Sequence, residues 1–217
     1  MMLGLDLVPV LLQGLGITCV VFVGAAMLAI PLALAAGEAR RIGGGIGWVA
    51  TVYIEVFRGT SALVQLYWGY FVLPLFGCNL PPLAVAIMVL GANAGAYGAE
   101  IARGCLNSVP TGQVDAAAAL GLNRWTTWWR VSLPQAAPAM IPPAGVLLIE
   151  LLKGTSLVSL IALADLTWQG QLLRNETLRS PAIYAWLFLI YLGMALCVSA
   201  AVKRLEQRMS VHLRRAT

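Results

Sequence analysis

Two phrases in this chain set an acid, a base three residues on, and then Gly-Thr-Ser inside otherwise apolar sequence: EVFRGTS from Glu55 and ELLKGTS from Glu150. Glu100 and Arg103 form a third acid–base pair at the same spacing. Residues three apart share one helix face, so Glu55 with Arg58, Glu100 with Arg103, and Glu150 with Lys153 can each pair. Gly59 and Gly154 weaken a helix and allow close approach, while the hydroxyls that follow can bond backbone carbonyls or a ligand. A carboxylate, an ammonium or guanidinium group and two hydroxyls at one level of a helix are groups that hold a polar solute.

The groups needed for bond-breaking chemistry are missing. Lys153-Gly154-Thr155-Ser156 has no upstream glycine loop, so the chain carries no G-x4-G-K-[ST] element of its own for ATP. The single histidine, His212, lies in the basic tail, which leaves no Ser–His dyad inside the apolar sequence. Asp6, Asp115 and Asp165 are the only aspartates, and no GxGD occurs, which argues against intramembrane proteolysis. Cys19, Cys78, Cys105 and Cys197 are scattered without a CxxC or a nearby histidine cluster, so they read as buried small hydrophobes rather than metal ligands or disulfides.

Composition says what must position those residues. Over 217 residues, 60% are hydrophobic and only 11% charged, and mean hydropathy is +0.83. Soluble domains are about one-quarter charged, so this is an integral membrane protein. A crossing helix needs roughly 20 apolar residues. That rule predicts an all-α protein forming one transmembrane domain over 1–217, with five spans at about 8–36, 48–76, 83–101, 139–162 and 181–202. The start, MMLGLDLVPV, carries Asp6 in place of the basic region of a cleavable signal, so the first run reads as a retained span.

Basic residues orient the spans. Arg40 and Arg41 lie in the first loop, Arg124 and Arg130 in the third, and five basic residues in the tail; the second loop has none and the fourth has Arg174 and Arg179. The positive-inside rule then places the amino terminus outside and the carboxyl terminus in the cytoplasm. The net charge of +5 is concentrated in KRLEQRMSVHLRR, a cytoplasmic flank rather than a nucleic-acid arm. The outer segment before the last span has Leu166, Leu172, Leu173 and Leu178 at helical spacing and suits a helix on the membrane surface. The NET sequon at Asn175 within it reads as chance.

On this topology Glu55 and Arg58 lie about two turns into the second span, and Glu150 and Lys153 deeper in the fourth. A charge at the bilayer centre costs about 2.5 kcal/mol or more, so these groups should face protein or a wet path. Glu150, Lys153, Thr155 and Ser156 are the candidate path residues, with Lys153 and Glu150 meeting the carboxylate and amino groups of a zwitterion. Glu55 and Arg58 stand nearer the cytoplasm as a gate or packing joint. Close packing of small residues is the alternative reason for Gly-Thr-Ser, and both reasons can hold.

The sizeable polar stretch, about 104–138, falls between spans three and four. DAAAAL is a strong helix former, Gly121 follows where a left-handed residue would end it, and Asn123 suits the start of a second short helix through RWTTWWRV. Pro134 then marks a turn into span four, completing a cytoplasmic helix–turn–helix. Trp125, Trp128 and Trp129 fall on one face of the second helix. That face fits an interfacial belt, but a belt does not account for the Ala-rich first helix, whose small side chains leave room for a partner.

Asp115-Ala116-Ala117, then Gly121, then Val131-Ser132-Leu133-Pro134 resembles the EAA motif, E-A-A-x3-G-x9-I-x-L-P, of ABC-importer permeases. Asp stands for Glu and Val for Ile. GAYGAEIARG, VPTGQ and YIEVFRGTSALVQL extend the resemblance along essentially the whole chain, to the polar amino-acid permeases of the histidine and glutamine type. The resemblance implies that Asp115, Ala116, Ala117 and Gly121, with Leu133 and Pro134, form a coupling element that docks on an ATP-binding subunit. It further implies two such subunits carrying ATP and Mg, no cofactor on this chain, a second permease chain (identical or homologous), an extracytoplasmic solute-binding protein, and a bacterial inner-membrane location. Gly154 stands where many such permeases read LKDTS, and Ser61 where they read FRGTP. FRGTSALVQL and ELLKGTSLVSLIALADLT resemble the ectoine/hydroxyectoine branch, whose substrates are zwitterionic compatible solutes. Two other classes remain as alternatives on sequence: an ATP-independent secondary carrier, and a membrane scaffold with no path of its own.

Overall fold

A computed structural model describes residues 8–214, so Asp6 and the reading of the first seven residues lie outside it. Among the described residues the regular elements are all helical, with no strand. Helix α1, Val8–Ile42, overruns the expected 8–36 because Glu38, Arg40 and Arg41 continue the helical register until Gly43 and Gly44, both at positive φ, end it. Its 35 residues span about 52 Å, well beyond the hydrocarbon layer.

The second apolar run is not one continuous helix, contrary to the expected span 48–76. Helix α2, Gly44–Gly59, stops, and Thr60 (φ −120°, ψ 151°) is fully extended. Ser61 (φ −68°, ψ 133°) is also extended before α3 begins, Ala62–Tyr67. A π-helical stretch Trp68–Val72 and a 3-10 turn Leu73–Phe76 complete the run, which closes at Gly77. Helix propensity explains the site of the break: glycine is the weakest non-proline helix former, and the Thr60 hydroxyl donates back to the Val56 carbonyl (2.7 Å).

Helix α4 runs from Pro82 to Asn107, longer than the expected 83–101. It lies against α1 along a seam of small residues. A Cβ on Gly95 would stand 2.8 Å from Tyr53 Oη and 2.9 Å from Leu32 Cβ, and one on Gly91 would stand 3.0 Å from the Ala25 carbonyl. Only glycine permits the helices to come this near.

Helix α5, Thr111–Ala119, ends at Gly121, whose φ of +77° is the left-handed geometry its position calls for. Helix α6, Arg124–Thr127, is capped as expected by Asn123, whose Oδ1 accepts from the Thr126 N–H at 2.8 Å. Beyond it the expectation of a turn at Pro134 fails. A π-helical stretch, Trp128–Ser132, leads directly into α7, Leu133–Gly154, and the helix axis continues. Proline cannot donate to the carbonyl four residues back, and the widened turn just before Pro134 absorbs that missing bond. Span four therefore starts well before residue 139, and the polar stretch outside the long helices is shorter than 104–138. A 3-10 segment, Thr155–Ile161, follows α7 and ends at Ala162.

Asp165 caps α8, Leu166–Thr177, by accepting from the Trp168 N–H (2.9 Å). Last comes α9, Ser180–Arg214, which extends the expected 181–202 into the basic tail. Among the described residues four helical segments are long and apolar enough to cross a membrane: Pro9–Ile42, Pro82–Asn107, Arg124–Ile161 and Ser180–Met209. The broken run contributes only the shorter apolar piece Ala62–Phe76.

Val21, Ala25, Leu66, Leu90, Val158 and Ile161 form the principal core between α1, α3, α4 and the 3-10 segment. At the end remote from α5, Leu11, Leu166 and Ile183 form a second cluster. There Thr18 Oγ1 accepts from the Leu166 N–H (3.1 Å) and donates to the Gly14 carbonyl (3.1 Å). Asp165 is fully buried beside it, and desolvation pushes its carboxyl up to about 6 even though the Trp168 and Thr167 groups favour its charge.

Candidate functional site

Residues of both phrases, Thr60 and Ser61 of EVFRGTS and Glu150, Leu151 and Gly154 of ELLKGTS, line one cavity of about 270 Å³, whereas Thr155 and Ser156 do not. Thr60 and Ser61 come from the break after α2, Asn93 and Tyr97 from α4, and Glu150 and Gly154 from the end of α7. Leu90, Leu147 and Leu151 supply apolar wall. Both phrases thus lie where regular α-helix gives out: the first at an extended pair, the second where α7 tightens into a 3-10 segment. Glycine at the last helical position in each case is the common cause.

The candidate residues do not all share this wall. Glu150 lines it, is exposed, and forms no ion pair with Lys153 among the described residues. Lys153 is exposed but lies off the cavity wall. Thr155 is buried and donates to the Leu152 carbonyl (2.6 Å), while Ser156 donates to the Lys153 carbonyl (2.8 Å). Both hydroxyls are turned into the helix, adding side-chain bonds to carbonyls at the point where the helix type changes.

Of the three local acid–base pairs one forms, and tertiary partners displace one other. Glu100 does pair with Arg103 (2.9 Å). Glu55 instead meets Arg40 (3.1 Å), which also donates to Glu100, so one guanidinium ties α1 to both α2 and α4. Arg58 sits 5.3 Å from the centroid of the Tyr97 ring, in cation–π range. A fork-shaped guanidinium can serve two carboxylates at once, which a helix-local pair cannot match.

Asn93 and Tyr97 escaped the sequence reading. Asn93 is the one amide within GANAGAYGAE, a polar side chain amid small apolar residues at mid-helix, and that contrast is the signal by which it could have been found.

At the opposite surface α5 leaves Asp115 and Ala116 exposed and buries Ala117, with Leu120 standing 80% exposed beside them. Leu133 packs against Leu106, Trp128 and Ala136, and Pro134 is exposed. The indoles of Trp125, Trp128 and Trp129 stack with centroids 5.3 to 6.3 Å apart. Trp128 is buried, whereas Trp125 and Trp129 are exposed. Among the described residues no three His, Cys, Asp or Glu side chains converge to hold a metal ion.

Residues 29–211 match the family described as binding-protein-dependent transport system inner membrane component. The chain is 45% identical over 161 residues to a probable amino-acid ABC transporter permease protein, y4tF, of Sinorhizobium fredii, covering 71% of this chain and 68% of that one. It is 39% identical to the glutamine transport system permease protein GlnP of Escherichia coli over 94% of both chains. Among solved structures, a crystal structure of an amino acid ABC transporter with histidines superposes with a TM-score of 0.77 at 33% identity, covering 93% of this chain and 94% of that chain. An inward-facing MetNI methionine ABC transporter gives a TM-score of 0.80 at 19% identity over 95% and 99% of the two chains, a likeness of fold alone. The chain therefore belongs to the binding-protein-dependent transport system inner membrane component family, as a multi-pass ABC-importer permease subunit rather than the ATPase.

Proposed function

We propose that this chain forms the membrane path of an ATP-driven importer carrying a polar amino acid or a related zwitterion, ectoine-like solutes included, into the cytoplasm. The observation that supports this most is the cavity that Thr60 and Ser61 of the first phrase share with Glu150 and Gly154 of the second, and that also bears Asn93 and Tyr97. A carboxylate, an amide and hydroxyls around about 270 Å³ suit a small polar solute, and breaks in helices are a common way to present such groups within a bilayer. Lys153 lies one helical step from this wall and would meet the solute's carboxylate after a rearrangement of α7. The substrate class also rests on the amino-acid and glutamine permeases among the relatives.

In this reading the broken run Gly44–Phe76 crosses as one of five spans of a single domain, the amino terminus lies outside, and α5 with the Asn123-capped turn forms a cytoplasmic helix–turn–helix. Two ATP-binding subunits dock there on Asp115, Ala116, Ala117 and Gly121, supported by Leu133 and Pro134. A second permease chain and an extracytoplasmic solute-binding protein complete the machine. ATP-driven closure of the docked subunits biases the helices between two arrangements. Glu55 and Arg58 sit toward the cytoplasmic mouth as a gate.

The test is uptake by the complex in proteoliposomes with its ATPase and binding protein, across a panel of amino acids and ectoine. Glu150→Gln and Lys153→Met should each lower uptake at limiting solute by roughly tenfold, the effect of losing one charge-assisted contact. Unchanged affinity and flux in both would remove them from the path. Gradient-driven uptake without an ATPase would favour a secondary carrier, and uptake surviving deletion of Asp115–Gly121 would favour a scaffold.

A further inference from the structure

The end of α2 poses a problem of hydrogen bonding that two side chains solve. A helix terminus leaves its last carbonyls without partners, and within a bilayer no water is at hand to serve them. Asn93 lies near the midpoint of the 26-residue α4. Its Nδ2 donates to the Phe57 carbonyl (2.9 Å) and to Gln65 Oε1 (3.2 Å). Gln65 Nε2 in turn reaches the same Phe57 carbonyl (3.0 Å) and Thr60 Oγ1 (2.7 Å). The two carboxamides are thus bonded to each other and to both sides of the break.

Their positions differ in a useful way. Asn93 lines the solute cavity, whereas Gln65 lies behind the break, on an apolar groove with Phe57 and Trp68. Without these donors the stretch has an obvious alternative: α2 and α3 fuse into one helix and satisfy the carbonyls internally. Thr60 and Ser61 would then lose the extended geometry that sets them on the cavity wall.

We infer that Gln65 and Asn93 form a carboxamide clamp that keeps the second span broken, and that they are positioning residues for Thr60 and Ser61 in solute transfer. This rests on the transport reading above. Gln65 acts through the backbone and not on the solute.

The experiment uses the reconstituted complex and the single variants Gln65→Met and Asn93→Leu together with their double. It reads solute imported per ATP hydrolysed at limiting solute. Each single variant should lower that ratio by about tenfold, as for a lost pair of half-buried hydrogen bonds. The double should be no worse than the worse single, because two parts of one clamp are not additive. In parallel, Ser61→Cys is introduced into a chain whose four native cysteines are replaced by alanine. Its alkylation by a small thiol reagent should slow severalfold when Gln65→Met is added, as the helix closes.

If the wild-type complex imports nothing, the transport reading falls while the alkylation assay still judges the clamp. If it imports normally and Gln65→Met matches wild type in both assays, the clamp is wrong, even should Asn93→Leu be impaired. Where Asn93→Leu fails to assemble, Gln65→Met with the Ser61→Cys alkylation decides alone.

Discussion

Gly95 and Gly104 share helix α4, so the same substitution at each separates packing from propensity. A methyl on Gly95 would lie 2.8 Å from Tyr53 Oη and 2.9 Å from Leu32 Cβ, where ordinary contacts need about 3.5–4.0 Å. It is squeezed from two helices at once, and neither neighbour yields easily. Leu32 Cβ moves only with the backbone of α1, and the Tyr53 hydroxyl is held by its bond to the Ala92 carbonyl (2.6 Å). Overpacking of this kind costs about 1–3 kcal/mol. At Gly104 a Cβ meets nothing within 4 Å, so Ala should gain about 0.5–1 kcal/mol from helix propensity. The difference, about 1.5–4 kcal/mol, corresponds to a gap of at least about 3 °C in Tm for a chain of this length. Thermal unfolding of the detergent-solubilised protein followed by circular dichroism measures it. Gly95→Ala melting at or above Gly104→Ala would refute the close-packed α1–α4 seam.

Asp165 has a raised folded-state pKa of about 6 against 3.8, so its contribution is fully present below about pH 4 and is lost as pH rises through 6. Melting temperature should therefore fall between about pH 4 and 7, by at most about 3 kcal/mol in equivalent free energy over that window, and level off above it; Asp165→Asn, which keeps the α8 cap, should flatten that slope. Gly121→Ala forces a side chain into φ +77° at a cost of about 1–2 kcal/mol, and amide exchange across 116–124 should accelerate correspondingly. Arg40→Met removes the guanidinium shared by Glu55 and Glu100. Because Glu55 is 61% exposed, its pairing contributes at most about 1 kcal/mol, so most of the loss should come from Glu100 and be insensitive to added salt.

The parts legible in sequence were those governed by local rules. The left-handed Gly121 and the Asn123 cap are dictated by residues within one turn of them, and both are found. The long apolar helices followed from bilayer thickness. What escaped was decided by partners distant in sequence. A hydropathy window runs unbroken over Gly59–Ser61, because it averages over the glycine where α2 ends and does not register the amides of Gln65 and of Asn93 on α4 that bond to the Phe57 carbonyl there. Spacing of three residues promised Glu55–Arg58, yet Arg40, fifteen residues earlier, takes the carboxylate. Pro134 reads locally as a stop, and only the widened turn before it lets the helix pass. The cavity likewise needs α2, α4 and α7 together, so Glu150 could be nominated from sequence but Asn93 and Tyr97 were not.

The stacked indoles of Trp125, Trp128 and Trp129 make the α5–α7 connection an optical reporter. Transition dipoles of rings 5.3 to 6.3 Å apart couple, so the three should give an exciton couplet in circular dichroism distinct from the signals of the four other tryptophans. With Trp125 and Trp129 exposed at the surface, any protein that settles there changes their spacing or tilt, and the couplet changes sign or strength without a label having been attached.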